Sequence, residues 1–306
     1  TRFQMSTQGT IKKYTLILEK LKHRHYPTKR EIQEYFNGLG FNLTDRTFER
    51  HLEALRIEFG IQIIYDTWKK GYYLDEEASL NLKSFHKFIN LSNVASLLTE
   101  SLKDGKELLQ YVSFDDSSLL TGIENLEKLL RATKEQRKIK FEHFNFYTQK
   151  TKQYSLKPYL LKEYKSRWYV IGTIFDTSDL RSFGIERING LEVTDELFER
   201  DEALNPKEKF EEIIGLIYSD RKIQTVKLSF SMFQAEYIKS LKLHHSQKVV
   251  SEDKAKDECL IELFLKPNFE LEQQILMHGE NVKVLEPQWL VDRIRDRLKE
   301  ALGYYS

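Results

Sequence analysis

A single cysteine, Cys259, is all the thiol chemistry that 306 residues carry. One thiol makes no internal disulfide and no zinc ligand set, which fits a reducing compartment, and the cytoplasm is the simplest location. Five prolines leave no room for a proline-rich linker. No uncharged apolar run reaches the ~20 residues needed to span a bilayer, and the opening residues TRFQMSTQGT lack the apolar centre of a secretory leader, so no membrane partner is expected. Charge of one sign is also missing. With 31% charged residues and a net charge of +1, any nucleic-acid surface must be a local patch rather than a global field. Nothing repeats at a fixed period, and the length exceeds what one core usually supports, so several domains are expected.

Residues 1–77 read as three short helices and a hairpin. Ile11, Tyr14, Leu18 and Leu21 share one helical face. The run TKREIQEYFNGLG is opened by Thr28 and buries Ile32, Tyr35 and Phe36. NLTDRTFERHLEALRIEFG begins at the N-cap Thr44, aligns Phe48, Leu52, Leu55 and Phe59 in a stripe, and stops at Gly60. IQIIYDTWKKGYYLD then carries two β-type runs around a turn at Thr67–Gly71. This order is that of a winged helix-turn-helix. Residues 78–136 repeat apolar side chains at helical spacing, among them Phe85, Ile89, Val94, Leu97, Leu98, Leu108, Leu109, Leu119 and Leu120, and read as a helical connector.

At RKIKFEHFNF the period becomes two, with Ile139, Phe141 and His143 on one face and Lys140, Glu142 and Phe144 on the other. Further short strands separated by turns make 137–205 a small, strongly bent antiparallel sheet or barrel. Residues 206–306 begin with a short helical piece through Phe210–Ile217. They continue strand, helix, strand, strand, helix, strand, then a terminal helix, which is a ferredoxin-like βαββαβ order. The fold class is therefore α+β and multidomain.

The chemistry concentrates in two places. Opposite the apolar stripe of the third helix lie Asp45, Arg46, Thr47, Glu49 and Arg50, with Arg46 and Arg50 neighbours at a spacing of four. A recognition helix needs such residues: its first turns reach base edges while hydroxyl and basic groups hold phosphates. Trp68, Lys69 and Lys70 at the hairpin tip suit a backbone or minor-groove contact. Thr44, Arg46, Thr47, Arg50, Lys69 and Lys70 are the candidate DNA-binding residues. The competing account is a solvated helix face with Arg46 and Arg50 paired to Glu49 and Glu53.

The second place is KSRWYVIGTIFDTSDLRSFGIERI, Lys165–Ile188. Strict alternation from Arg181 would put Arg181, Phe183, Ile185 and Arg187 on one face. With His143 and Tyr169 on nearby strands, two guanidiniums, an imidazole and a phenol would suit a phosphate or nucleotide. Alternatively the arginines pair with Asp179 and Glu186, and Trp168 is core. Residue pattern alone leaves that choice open.

Enzyme motifs are missing: there is no P-loop, dinucleotide fingerprint, His-Glu-x-x-His or Gly-x-Ser-x-Gly. No catalytic residue, metal or cofactor is assigned. His244-His245 reads as a polar loop, Asp115-Asp116 as capping, and Cys259 as buried and inert.

RWYVIG (Arg167–Gly172), with KPYLL before it and LRSFGIERI after it, resembles the motifs of the WYL-domain transcriptional regulators. TDRTFERHLEAL resembles the recognition helix of their DeoR-like winged domain, and ILMHGENVKVLEPQWLVDRI their C-terminal extension. The resemblance runs from about residue 10 to 303. It implies an Sm-like small β-barrel and a homodimeric regulator of a double-stranded DNA operator. It also implies a basic pocket sensing a nucleotide or oligonucleotide effector, at which Arg181 and Arg187, with Tyr169, match the pocket positions. His143 stands where many members have tyrosine, Lys157 where a histidine precedes the proline, and Val170 where leucine is usual. The rival functions are an accessory module that binds single-stranded nucleic acid and modulates a partner nuclease or defence system, and an enzyme acting on nucleotides.

Overall fold

A computed structural model of the chain describes residues 2–22, 26–79, 82–100, 122–174 and 179–305. The expected connector residues Leu108, Leu109, Leu119 and Leu120, the pair Asp115-Asp116 and most of the turn before Asp179 lie outside the described residues. So do the side chains of Val94, Leu97 and Leu98. Backbone contacts divide the chain into two compact units, 1–114 and 115–306.

In the first unit, α1 (Arg2–Lys22), α2 (Lys29–Gly38) and α3 (Asp45–Phe59) precede a hairpin of β1 (Gln62–Asp66) and β2 (Gly71–Asp75), followed by α4 (Leu82–Glu100). Local chemistry sets the boundaries. Thr28 and Glu31 form a reciprocal capping box at α2, with the Thr28 N–H donating to Glu31 Oε2 at 2.6 Å. At α3 the Thr44 hydroxyl accepts from the Thr47 N–H, and Gly60 ends the helix in the left-handed region at φ 68°. Ile17, Leu21, Ile32, Phe36 and Phe48 form one buried cluster. Tyr14, Leu18, Leu55, Ile61, Phe85 and Ile89 form another, which anchors α4 to this unit.

The second unit opens with α5 (Leu126–Lys134), whose Leu129 and Ala132 are buried against a sheet. Its strands are β3 (Arg137–Asn145), β4 (Lys150–Tyr164), β5 (Arg167–Ile174), β6 (Leu180–Gly184) and β7 (Ile188–Leu197). They lie in the order β6-β5-β4-β3-β7, every pairing antiparallel. Ile139, Phe141, Leu156, Val170 and Phe183 fill its inner face, with Trp168 partly buried against them. A second antiparallel sheet has the order β11-β8-β10-β9. Its strands are β8 (Gln224–Phe230), β9 (Lys248–Asp253), β10 (Glu258–Leu265) and β11 (Val282–Glu286). Helices α7 (Met232–Ser240) and α8 (Phe269–Met277) form the crossovers, and α9 (Gln288–Gly303) closes the chain. Val226, Leu228, Ile261, Leu263, Leu271 and Leu290 share this core with Cys259, whose thiol burial pushes up.

Two segments depart from expectation. The helical piece expected through Ile217 ends early, as α6 (Pro206–Glu211). Beyond it Ile213 and Ile214 bury their side chains and Gly215 takes φ +79°, which no helix continues. The alternation expected from Arg181 to Arg187 breaks at Gly184, because Ile185–Arg187 forms a 3₁₀ turn.

Candidate nucleic-acid interface and candidate ligand site

On α3, partners from α2 and from the helix itself sort the charges. Glu49 pairs with Lys29 of α2 at 2.6 Å, Glu53 with Arg56 at 2.7 Å, and Asp45 accepts from Gln33 at 2.7 Å. The Glu49 carboxylate holds the Lys29 ammonium above its usual range. Arg46 and Arg50 are exposed and form no ion pair among the described residues, contrary to the pairing with Glu49 and Glu53 considered above. Thr44 and Thr47 share a hydroxyl hydrogen bond of 2.9 Å at the cap. His51, on the inner side of α3, was not singled out by sequence. It is buried, packs edge-on against Tyr14 at 5.4 Å and has no partner for Nε2 among the described residues. Burial first, then Lys13 and Arg50, lower its pKa to about 4.

The hairpin tip is tightly determined. Asp66 Oδ1 accepts from the backbone N–H groups of Trp68 and Lys69, both at 2.9 Å, and Lys70 takes φ +51°. The Lys69 ammonium lies 3.8 Å from the centroid of the Tyr26 ring, so it is not a free cation. Lys70 is exposed, and Trp68 is 95% exposed. Such solvation of an indole leaves it no role in the core.

In the second unit, His143 faces inward from β3 opposite Lys152 and Ile188. Its ring meets Phe183 edge-on at 5.1 Å and Tyr154 at 6.3 Å, and its Nε2 has no hydrogen-bond partner among the described residues. Burial, then the Arg187 charge, lower its pKa to about 4. Tyr169 on β5 lies opposite Gly184 of β6. Its phenol is pushed up by burial and then by Glu186, with Arg167 and Arg187 acting in the opposite direction.

Arg187, on the turn after β6, puts its Nε 3.4 Å from Glu186 Oε1 and its guanidinium 4.9 Å from the Phe146 ring centroid. Arg167 Nη1 lies 3.7 Å from the same Glu186 oxygen. The structure therefore gathers Arg187, Tyr169 and the edge of His143, and pairs Arg187 with Glu186, as the alternative reading of these arginines had it; Arg167 and Phe146 join them without having been expected there. Arg181 stands apart: it is exposed opposite Gly172, three residues or roughly 10 Å along β6 from Gly184. It makes no ion pair with Asp179 among the described residues. Lys157 pairs in register with Thr173 and is half-buried.

Two clefts lie elsewhere on this unit. One of about 790 Å³ is bounded by Gln136, Tyr159, Arg200 and Asp201, and one of about 480 Å³ by Lys140, Gln153, Tyr154 and Gly190. Neither is lined by His143, Tyr169, Arg181 or Arg187. The histidine pair is a tether: the Nε2 atoms of His244 and His245 lie 2.7 and 2.8 Å from the Glu211 carbonyl oxygen. No group of metal-ligating side chains occurs among the described residues, and no helix among them is long and apolar enough to cross a membrane.

Two family models match the chain: the WYL domain over residues 124–193 and the WCX domain over residues 222–302. The WYL match takes in α5 and the five-stranded sheet with the Arg187 cluster, and the WCX match the second sheet. Among solved structures, proteasome accessory factor B/C (PafBC) of Arthrobacter aurescens is 16% identical with a TM-score of 0.33, covering 97% of this chain and 47% of that chain. This chain thus spans about half the length of that protein. A CRISPR Cas-related protein is also 16% identical, with a TM-score of 0.42, covering 98% of this chain and 86% of that chain. No curated protein matches. The domain matches, not these distant likenesses, identify residues 124–193 and 222–302.

Proposed function

We propose that the chain is a homodimeric, sequence-specific regulator that binds double-stranded DNA through its first unit. A nucleotide or oligonucleotide at the WYL domain would set its output. The observation that carries this reading is the pair Arg46 and Arg50, exposed on the first half of α3 with no ion pair among the described residues, while Glu49 pairs with Lys29, Glu53 with Arg56, and Asp45 accepts from Gln33. Unpaired guanidiniums at that place suit base edges and phosphates. On this reading the first three helices and the hairpin are a winged helix-turn-helix, the five-stranded sheet an Sm-like barrel, and the second sheet a ferredoxin-like domain. Two copies would read the half-sites of a two-fold operator. An effector changes the output only if it binds the DNA-competent and incompetent states with different affinity.

Genomic pull-down of bound DNA, followed by gel shift on the recovered fragments, tests the reading. Arg46→Ala with Arg50→Ala should abolish specific binding, and unchanged binding would sink the assignment. The accessory reading draws on Phe146, 55% exposed beneath Arg187, and Tyr147, 97% exposed beside it. An aromatic platform next to a guanidinium suits stacked, unpaired bases. Preference for single-stranded RNA over every duplex would select it instead.

A further inference from the structure

Glu186 is the acidic member of the Arg187 cluster. It is an acid within a site otherwise suited to anions, with its side chain only 16% exposed. Its Oε1 lies 3.4 Å from Arg187 Nε and 3.7 Å from Arg167 Nη1. Both Oε1 and Arg187 Nε are buried, yet neither has a hydrogen-bond partner among the described residues. The ion pair is therefore close but poorly aligned, and each orphaned atom retains an unfilled hydrogen-bonding direction.

Gly184 makes this arrangement possible. A Cβ there would sit 2.7 Å from both Glu186 carboxylate oxygens and 2.8 Å from Arg187 Nη2. The turn folds the acid and the guanidinium back over a position that only glycine leaves open, with Tyr169 paired across the strand. The face of Arg187 is held against Phe146. The carboxylate thus occupies the region beside both guanidiniums that an incoming anion would seek.

Resting on the reading of the WYL domain as a ligand site, we propose that Glu186 determines its specificity. As an internal counter-ion beside Arg187 and Arg167, it turns away bare inorganic anions. It admits an anion that also brings a hydrogen-bond donor, as a nucleotide does. Inorganic phosphate must set its charge against a half-desolvated carboxylate a few ångströms away. A nucleoside monophosphate gives a phosphate oxygen to the Arg187 Nε–H and a base amino or imino donor to Glu186 Oε1, satisfying both orphaned atoms at once.

The test is calorimetric titration of the full chain with inorganic phosphate and with guanosine 5′-monophosphate, for wild type, Glu186→Gln and Arg187→Gln. Glu186→Gln should bind inorganic phosphate at least tenfold more tightly than wild type and lose most of the preference for the nucleotide. Glu186→Ala serves the same purpose should the glutamine variant fail to fold. If Arg187→Gln abolishes binding of both probes while Glu186→Gln leaves phosphate affinity within twofold, the specificity role is wrong and the ligand site stands. If Arg187→Gln changes neither affinity, the ligand site itself is wrong. Failure of folded Glu186→Gln to bind inorganic phosphate also overturns the proposal, because its guanidiniums would then be uncontested.

Discussion

Phe48 of α3 and Tyr72 of β2 meet edge to face, with ring centroids 5.1 Å apart and planes at 84°. Tyr72 directly follows Gly71, where the hairpin turn ends, and its N–H donates to the Pro27 carbonyl at 2.9 Å. The hairpin is thereby fastened to the helix that carries Arg46 and Arg50, and Trp68 projects from a tip whose backbone is already hydrogen-bonded. Trp68→Ala should leave the thermal unfolding of the protein unchanged within about 0.5 kcal/mol, as for most exposed substitutions. It should weaken DNA binding several-fold by gel shift, since an exposed indole is a wedge or stacking surface for nucleic acid. A full loss of stability would show that the tip supports the fold instead.

Gly71 is the counterpart to Trp68 on the same turn, because there only structure is at stake. A Cβ at this position would lie 1.7 Å from the Tyr26 carbonyl oxygen and 2.3 Å from its carbonyl carbon, both backbone atoms. Neither can swing aside like the end of a long side chain. Gly71→Ala should therefore destabilise the first unit by about 1–3 kcal/mol, the range of overpacking strain. Chemical denaturation of this variant beside Trp68→Ala checks the pair, and equal stabilities would refute the close-approach argument.

Burial lowers the pKa of three histidines, His278 of the second unit among them, and furthest for His51 of the first unit and His143 of the second. For His51 and His143 the folded pKa is lowered to about 4, chiefly by burial, against about 6.5 in an unfolded chain. Between those values the unfolded state binds the extra proton, so stability falls as pH drops from about 6.5 to about 4. The loss is on the order of 3 kcal/mol per histidine. His143→Phe, which keeps a ring among Phe141, Tyr154 and Phe183, should flatten this part of the stability profile of the second unit. His51→Leu should do so for the first. Urea unfolding at pH 7, 5.5 and 4.5 reads the difference, and a parallel decline in variant and wild type would remove the histidine from the account.

What was legible in the sequence follows the range of the interactions. Thr44, Thr28 and Gly60 act within four residues of themselves, and the boundaries of α2 and α3 fall beside them. The inward face of β3 was equally readable, since burial of Ile139, Phe141 and His143 needs only a period of two. The grouping of Arg181 with Arg187 was not, because SFGIER alternates as well as a strand would. Only the fold shows the 3₁₀ turn at Ile185–Arg187 that interrupts the period. Nor could a local pattern show that Glu49 belongs to Lys29, twenty positions earlier, and not to Arg46 or Arg50. His51 was legible but passed over: three residues after Phe48 and four before Leu55 it lies on the apolar stripe itself, where Tyr14 of α1 packs against it.

Glu270, on the first turn of α8, is a longer-range case and carries the last prediction. Its Oε1 accepts from the backbone N–H groups of Leu216 and Ile217 at 3.0 and 2.9 Å, and its Oε2 accepts from Asn268 Nδ2 at 3.0 Å. Asn268 Nδ2 also reaches the carbonyls of Ile214 and Ile217. The irregular segment after α6 thus obtains several of its hydrogen bonds from two side chains of the WCX-matched region. Gly215 lets it pass, because a Cβ there would lie 2.7 Å from Glu270 Cγ. Glu270 is 5% exposed, so water cannot replace a lost acceptor. Glu270→Ala removes the acceptor of two part-buried N–H groups and should destabilise the second unit by on the order of 2 kcal/mol, whereas Glu270→Gln keeps an acceptor oxygen and should cost about 1 kcal/mol. Denaturation of both variants measures the gap. The Tyr169 phenol also feels the Glu270 charge, so Glu270→Ala should lower its pKa in a spectrophotometric titration. An unchanged Tyr169 in a destabilised protein would mean that the carboxylate supports the segment without reaching the Arg187 cluster.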